Sequence, residues 1–130
     1  MQNPIEIIAT TEAPEAIGPY AQATACGGLV FCSGQLPVDP VSGELVDAGA
    51  GAAAAQAFDN LAAVLAAGGL ALPDVIKTTV YLRDMDDFAE VNAVYADRFG
   101  THRPARACVE VARLPKGARL EIEAIARQLP

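Results

Sequence analysis

Six short strand-like segments and only two helical ones share this chain of 130 residues. That ratio is the tightest constraint on its fold, because two helices cover one face of a six-stranded sheet and no more. The strand-like segments run from Ile5 to Ala9, Ala21 to Ala25, Leu29 to Ser33, Val75 to Leu82, Ala105 to Val111 and Arg119 to Arg127. The helical ones interrupt the later strands. The order predicts an α+β fold with a six-stranded mixed sheet and two helices on one face, in one domain over residues 1–130. In the third strand Val30 and Cys32 oppose Leu29 and Phe31, so both sides are apolar. The uncovered sheet face therefore needs a cover, and a homo-oligomer that buries it is expected.

Local signals set the element ends. Gly27-Gly28 reads as a tight hairpin turn between the second and third strands. Ala54, Phe58, Leu61 and Leu65 recur at helical spacing in a helix from about Ala50 to Ala67, closed by Gly68-Gly69. The second helix starts near Asp84, a good N-cap, and carries Phe88, Val91, Tyr95 and Phe99 as its apolar stripe. Gly100 closes it, and Pro104 starts the next extended piece.

Composition excludes several functions. Lys and Arg number 9 against 16 Asp and Glu, a net charge of −7. Such a surface is a poor partner for nucleic acid or anionic membrane, and neither is expected. No apolar run is read as long enough to span a bilayer, and no signal peptide is read at the start. Cys26, Cys32 and Cys108 form no C-x-x-C pair, which favours reduced thiols and a cytoplasmic setting. His102 is the only histidine and sits in a loop, read as a surface residue; neither a metal nor a cofactor is expected.

The chemistry concentrates in the last two strands. Leu114-Pro115-Lys116-Gly117 reads as a turn between them. A hairpin there sets Arg106 opposite Glu121, Cys108 opposite Arg119 and Glu110 opposite Gly117. One sheet face then holds a guanidinium fork suited to a carboxylate, beside a glutamate that positions water. The alternative is ordinary cross-strand ion pairing, with Glu110 and Arg119 the natural pair. Gly18-Pro19-Tyr20 is a turn ending in a phenol. Ser33-Gly34 offers a hydroxyl and bare backbone at a strand end. Asn92 stands one step off the second helix's stripe, and Cys108 reads as a small core hydrophobe.

Together these residues resemble the Rid/YjgF family of reactive-intermediate deaminases. The motifs are Gly18-Pro19-Tyr20, Ser33-Gly34-Gln35-Leu36-Pro37, the run from Val75 to Val80, and Phe88-Ala89-Glu90-Val91-Asn92. The most specific are the run from Pro104 to Gly117 and Glu121-Ile122-Glu123-Ala124-Ile125-Ala126. The resemblance implies a chorismate-mutase-like homotrimer with a cleft at each subunit boundary. It implies hydrolysis of 2-iminobutanoate, 2-iminopropanoate and their enamine tautomers, released by pyridoxal-phosphate enzymes, to 2-oxo acids and ammonia. Arg106 would bind the substrate carboxylate and Glu121 the water. Tyr20, Ser33, Gly34, Asn92, Ala107 and Cys108 would complete the site. Ala107 departs from the Ser or Thr of many members. The other readings are a binding module for small carboxylates and a holdase-type interaction protein.

Overall fold

The computed structural model describes residues 4–128. Six strands form one sheet: β1 (Glu6–Ile8), β2 (Ala23–Cys26), β3 (Leu29–Gln35), β4 (Val75–Leu82), β5 (Ala105–Glu110) and β6 (Leu120–Arg127). Two helices, α1 (Ala50–Ala67) and α2 (Phe88–Phe99), lie between β3 and β5 in the chain. The spatial order is β1-β2-β3-β6-β4-β5, antiparallel except for β4 and β5. A parallel pair needs a crossover, and α2 supplies it. Gly27 and Gly28 take φ of 60° and 84°, the left-handed pair that the two-residue β2–β3 turn requires.

The expected β5–β6 hairpin does not form. β6 inserts between β3 and β4 and pairs antiparallel with both, while β5 lies outside β4. Arg106 faces Thr78, and Glu121 faces Tyr81. Burial explains the choice. Leu120, Ile122, Ala124 and Ala126 of β6 form an unbroken buried row, which a central strand can cover with helix on one side. β5 is shorter and mostly exposed, as an edge strand can be. The Leu114 to Gly117 turn carries the chain past the end of β4, where Arg83 N donates to Arg119 O and Arg83 Nη1 donates to Gly117 O. The Glu110–Arg119 ion pair is absent too. Glu110 accepts from Met85 N, and Arg119 bridges Asp47 and Asp87.

The core lies between the helices and one sheet face. Phe58, Leu61 and Leu65 of α1 are fully buried with Val80, Leu82, Leu120 and Ile122. Phe58, Tyr95 and Phe99 lock the two helices together, with Phe58 edge-on to both partners at 5.6 Å. Contrary to the sequence reading, α1 has the length and composition to cross a bilayer, at 18 residues and mean hydropathy 1.2. Here its apolar stripe is spent on the sheet, and Asp59 on its outer side pairs with Arg98. Asn60 is a buried exception. Its amide donates to Leu36 O and Val38 O and accepts from Gln56, tying the segment after β3 to α1. Asn60→Leu strands those carbonyls and is expected to cost roughly 2–4 kcal/mol, measured as a lower urea midpoint at unchanged slope.

The opposite sheet face has no helix over it. Phe31 (45% exposed) and Val109 (43%) stand on it, together with Tyr81, Glu121 and Glu123.

Candidate functional site

The expected site residues fall into two groups on opposite sides of the sheet. The first lies at the β5 edge on the helix side. Arg106 shares its register row with buried Thr78 and Ala124, so its side chain leaves toward α2. Nη1 donates to Asn92 Oδ1 at 2.7 Å. Cζ stands 4.7 Å from the Tyr95 ring centroid and 5.6 Å from that of Phe88. Phe88, Asn92 and Tyr95 are three and four apart on α2, which puts all three on one helix face. Tyr95 is itself fixed by a 2.7 Å hydrogen bond with Thr78 Oγ1. The guanidinium is thus exposed, held on a platform, and has no carboxylate partner among the described residues. Cys108 follows two residues on, with the same facing, and packs against the core. Burial pushes its thiol up, partly opposed by Arg106. A thiol held protonated is not a nucleophile at neutral pH.

The second group lies on the uncovered face. Between Cys32 and Gln35 the β3–β6 register shifts, and Gly34 sits in that irregularity. A Cβ on Gly34 would stand 2.6 Å from Cδ and Oε2 of Glu121, so the bare glycine is what lets that carboxyl lie against β3. Glu121 is half-buried and accepts no hydrogen bond among the described residues. Burial first, then the charge of Glu123, raises its pKa. Tyr20 and Ser33 line a depression of about 300 Å³ with Phe31 and Glu123. Gln22 holds the loop that carries Tyr20: its side chain accepts from Thr10 N and donates to Pro14 O. Ser33 was expected to offer a donor, but its hydroxyl donates to Ala21 O at 2.6 Å and has only lone pairs left. Ala107 shares its row with Thr79 and Glu123 and belongs to this face, not to that of Arg106.

One chain therefore does not bring Arg106 and Glu121 together. They project from opposite sides of one sheet with β4 between their strands. The period-2 pattern was read correctly within each strand but paired the wrong strands, which reversed the facing of Arg106. Sequence reasoning also missed Tyr81, whose hydroxyl donates to Glu123 Oε1 at 2.5 Å, and the Gln22 clasp. The Glu121-Ile122-Glu123 alternation was a visible signal for the first. Nothing in the sequence marked the second. His102, read as a surface residue, is half-buried, with Nε2 2.6 Å from Val75 O. A cleft of about 670 Å³, lined by Ile7, Thr10, Ala13, Tyr20, Gln22 and Pro40 among others, touches neither Arg106 nor Glu121. Among the described residues no cluster of three His, Cys, Asp or Glu side chains is placed to hold a metal.

The raised pKa of Glu121 has a consequence for stability. The folded state holds this proton over a pH window in which the unfolded chain has released it. Stability therefore falls as pH rises through that window. Glu121→Gln is expected to resist urea better than the native chain at neutral pH. The gap should close below about pH 4, near the ordinary glutamate pKa. Urea midpoints of both proteins across that range check it; parallel curves contradict it.

Fold and site together define a small α+β protein whose polar groups divide between a strand edge and an open sheet face. Comparison with known proteins gives that class a family. The model for the endoribonuclease L-PSP family matches residues 10–128. The 2-iminobutanoate/2-iminopropanoate deaminase of Escherichia coli K12 is 52% identical over 122 residues, 92% of this chain and 94% of that protein. The YjgF gene product of E. coli matches with a TM-score of 0.90 at 49% identity, over 95% of this chain and 99% of that one. E. coli TdcF, solved with bound serine, matches with a TM-score of 0.91 at 47% identity, again over 95% and 99%. The chain belongs to the endoribonuclease L-PSP family, the family of YjgF that its motifs resemble.

Proposed function

We propose that this chain is a 2-iminobutanoate/2-iminopropanoate deaminase. It hydrolyses the enamines and imines released by pyridoxal-phosphate enzymes in the cytoplasm to 2-oxo acids and ammonia. The carrying observation is Arg106, an exposed guanidinium steadied by Asn92, Tyr95 and Phe88 with no anionic partner among the described residues. A fork prepared in this way suits a small carboxylate. The deaminase of E. coli, half identical over nearly all of both chains, supports the same reading.

The working unit is a homotrimer, in which the β5 edge of one copy meets the open face of the next. Arg106, Asn92 and Cys108 then come from one copy, and Tyr20, Ser33, Gly34 and Glu121 from its neighbour. The exposed Phe31 and Val109 find cover in the same contact. Arg106 grips the carboxylate. Glu121 in its protonated form, which burial favours, gives its proton to the enamine carbon, and an iminium results. As carboxylate it takes a proton from the water that attacks C2. It returns that proton to nitrogen, ammonia leaves, and the hydroxyl proton of the carbinolamine restores the acid as the carbonyl forms. Imines hydrolyse unaided in water, so positioning and one acid–base group, worth on the order of 10² to 10⁴, suffice. RNA cleavage fits less well. The net charge is −7, and the single histidine has Nε2 bonded to Val75 O.

Mixing two inactive variants tests both the reaction and the shared site. Arg106→Ala and Glu121→Gln trimers are unfolded and refolded together at equal amounts. Deamination is followed as 2-oxobutanoate formed behind a threonine dehydratase with semicarbazide competing. About a quarter of the boundaries then join an intact Arg106 to an intact Glu121, and activity should return to about that fraction. No recovery rejects the shared site. Binding of 2-oxobutanoate by the native protein without imine hydrolysis leaves only the binding-module reading.

A further inference from the structure

We infer that Tyr81 and Glu123 form a positioning pair that makes Glu121 the proton-carrying carboxyl of the open face. The inference rests on the deaminase reading for its use, and on the geometry for its existence. Glu121 and Glu123 are two residues apart on β6 and project to the same side. Two such carboxylates begin as near equivalents. Two things separate them: the burial of Glu121 against Gly34, and one phenol. Tyr81 stands directly across from Glu121 in the β4–β6 register, yet its hydroxyl reaches diagonally and donates to Glu123 Oε1 at 2.5 Å. Glu121 is left without a donor, against a glycine that has no side chain to offer one.

The remaining groups on this face do not reverse the asymmetry. From β4, Lys77 lies in a depression that it shares with Glu123, Phe31 and Thr79, on the Glu123 side of the pair. From β3 come Ser33, whose proton is committed to Ala21 O, and Phe31. From β5 come Ala105, Ala107 and Val109, none of them charged. From the N-terminal loop Tyr20 reaches in beside Glu123, while Glu15, with Asp39 and Lys116, lines the depression on the far side of Gly34. The titration shifts agree with the geometry. The Glu123 bond is the largest cause raising Tyr81, and burial followed by the charge of Glu123 raises Glu121. Two carboxyls in such different settings acquire different roles, one holding the phenol and one left to exchange a proton.

The test reads Glu121 directly. With glutamate labelled by carbon-13 at the side-chain carboxyl, the Glu121 midpoint is followed by NMR in the native trimer and in Glu123→Gln, Glu123→Asp and Tyr81→Phe. In Glu123→Gln the phenol keeps an oxygen acceptor, so the fold is retained while the charge is lost. The Glu121 midpoint is expected to move to lower pH. Glu123→Asp keeps the charge and should restore most of the native midpoint. Tyr81→Phe should give a smaller shift of the same sign. The alkaline limb of the kcat–pH profile should move with the midpoint in each variant, at little change in KM. A Glu121 midpoint that stays put in Glu123→Gln overturns the pair, whatever the activity does. A midpoint that moves in a protein with no deaminase turnover supports the pair and counts against the reaction instead.

Discussion

Arg106→Ala is expected to lower kcat/KM for 2-iminobutanoate by on the order of 10² to 10⁴, the loss of two charge-assisted hydrogen bonds at about 1.5–3 kcal/mol each. Stability should barely change. Arg106 is exposed on an edge strand, and its contacts are one hydrogen bond to Asn92 and two rings that stay packed without it. Such surface contacts are worth under about 1 kcal/mol. Arg106→Lys separates charge from shape. A lysine keeps the cation but not the planar fork, and it stacks less well on Tyr95. It should recover only part of the loss, and in KM more than in kcat. The coupled assay with semicarbazide measures both variants, and urea unfolding checks the fold. Native-like turnover in Arg106→Ala removes the clamp.

Gly34→Ala should be nearly as damaging to activity, for a reason of space. The new methyl would sit 2.6 Å from Cδ and Oε2 of Glu121 and 2.9 Å from its Cγ. Gly34 is not among the left-handed glycines, so its backbone tolerates a side chain. The clash falls on the end of a flexible, half-buried side chain, which swings away at small cost in stability. Catalysis is less forgiving, because displacing a reacting group by about 1 Å costs on the order of 10²-fold. The expected result is a folded protein with roughly a hundredth of native kcat. Glu121→Gln should lose a similar factor, and the double variant no more than either alone, since both changes remove the same group. Additive losses would mean that Gly34 acts on the substrate through its backbone, independently of Glu121.

Much of the secondary structure was legible because short-range physics decides it. Val75–Leu82 and Ala50–Ala67 match their expected spans, and the Ala54, Phe58, Leu61, Leu65 stripe is fully buried. Asp84 caps as read, with Oδ1 accepting from Asp86 N, although the first turn it caps is a 3₁₀ turn that runs into α2 at Phe88. Asn92 was read as an amide off the stripe, and its contact with Arg106 could not be seen, since that contact joins α2 to a strand that follows it. The resemblance named the residues of the proposed site, while the pairing drawn from the residues themselves reversed the facing of three of them, Arg106, Ala107 and Cys108.

The amino-acid order by itself determined which segments are strands and helices, the acidity of the surface, and the presence of one well-suited guanidinium and two alternating glutamates. These follow from periodicity, capping and charge, all of which act within a few residues. Only the tertiary structure decided that β6 goes to the middle of the sheet and β5 to its edge. That choice depends on which strand's apolar row is needed beneath α1, a contact across some sixty residues of chain that no local pattern encodes. It also placed Arg106 and Glu121 on opposite faces, because side chains on paired strands take their side from register rather than from sequence distance.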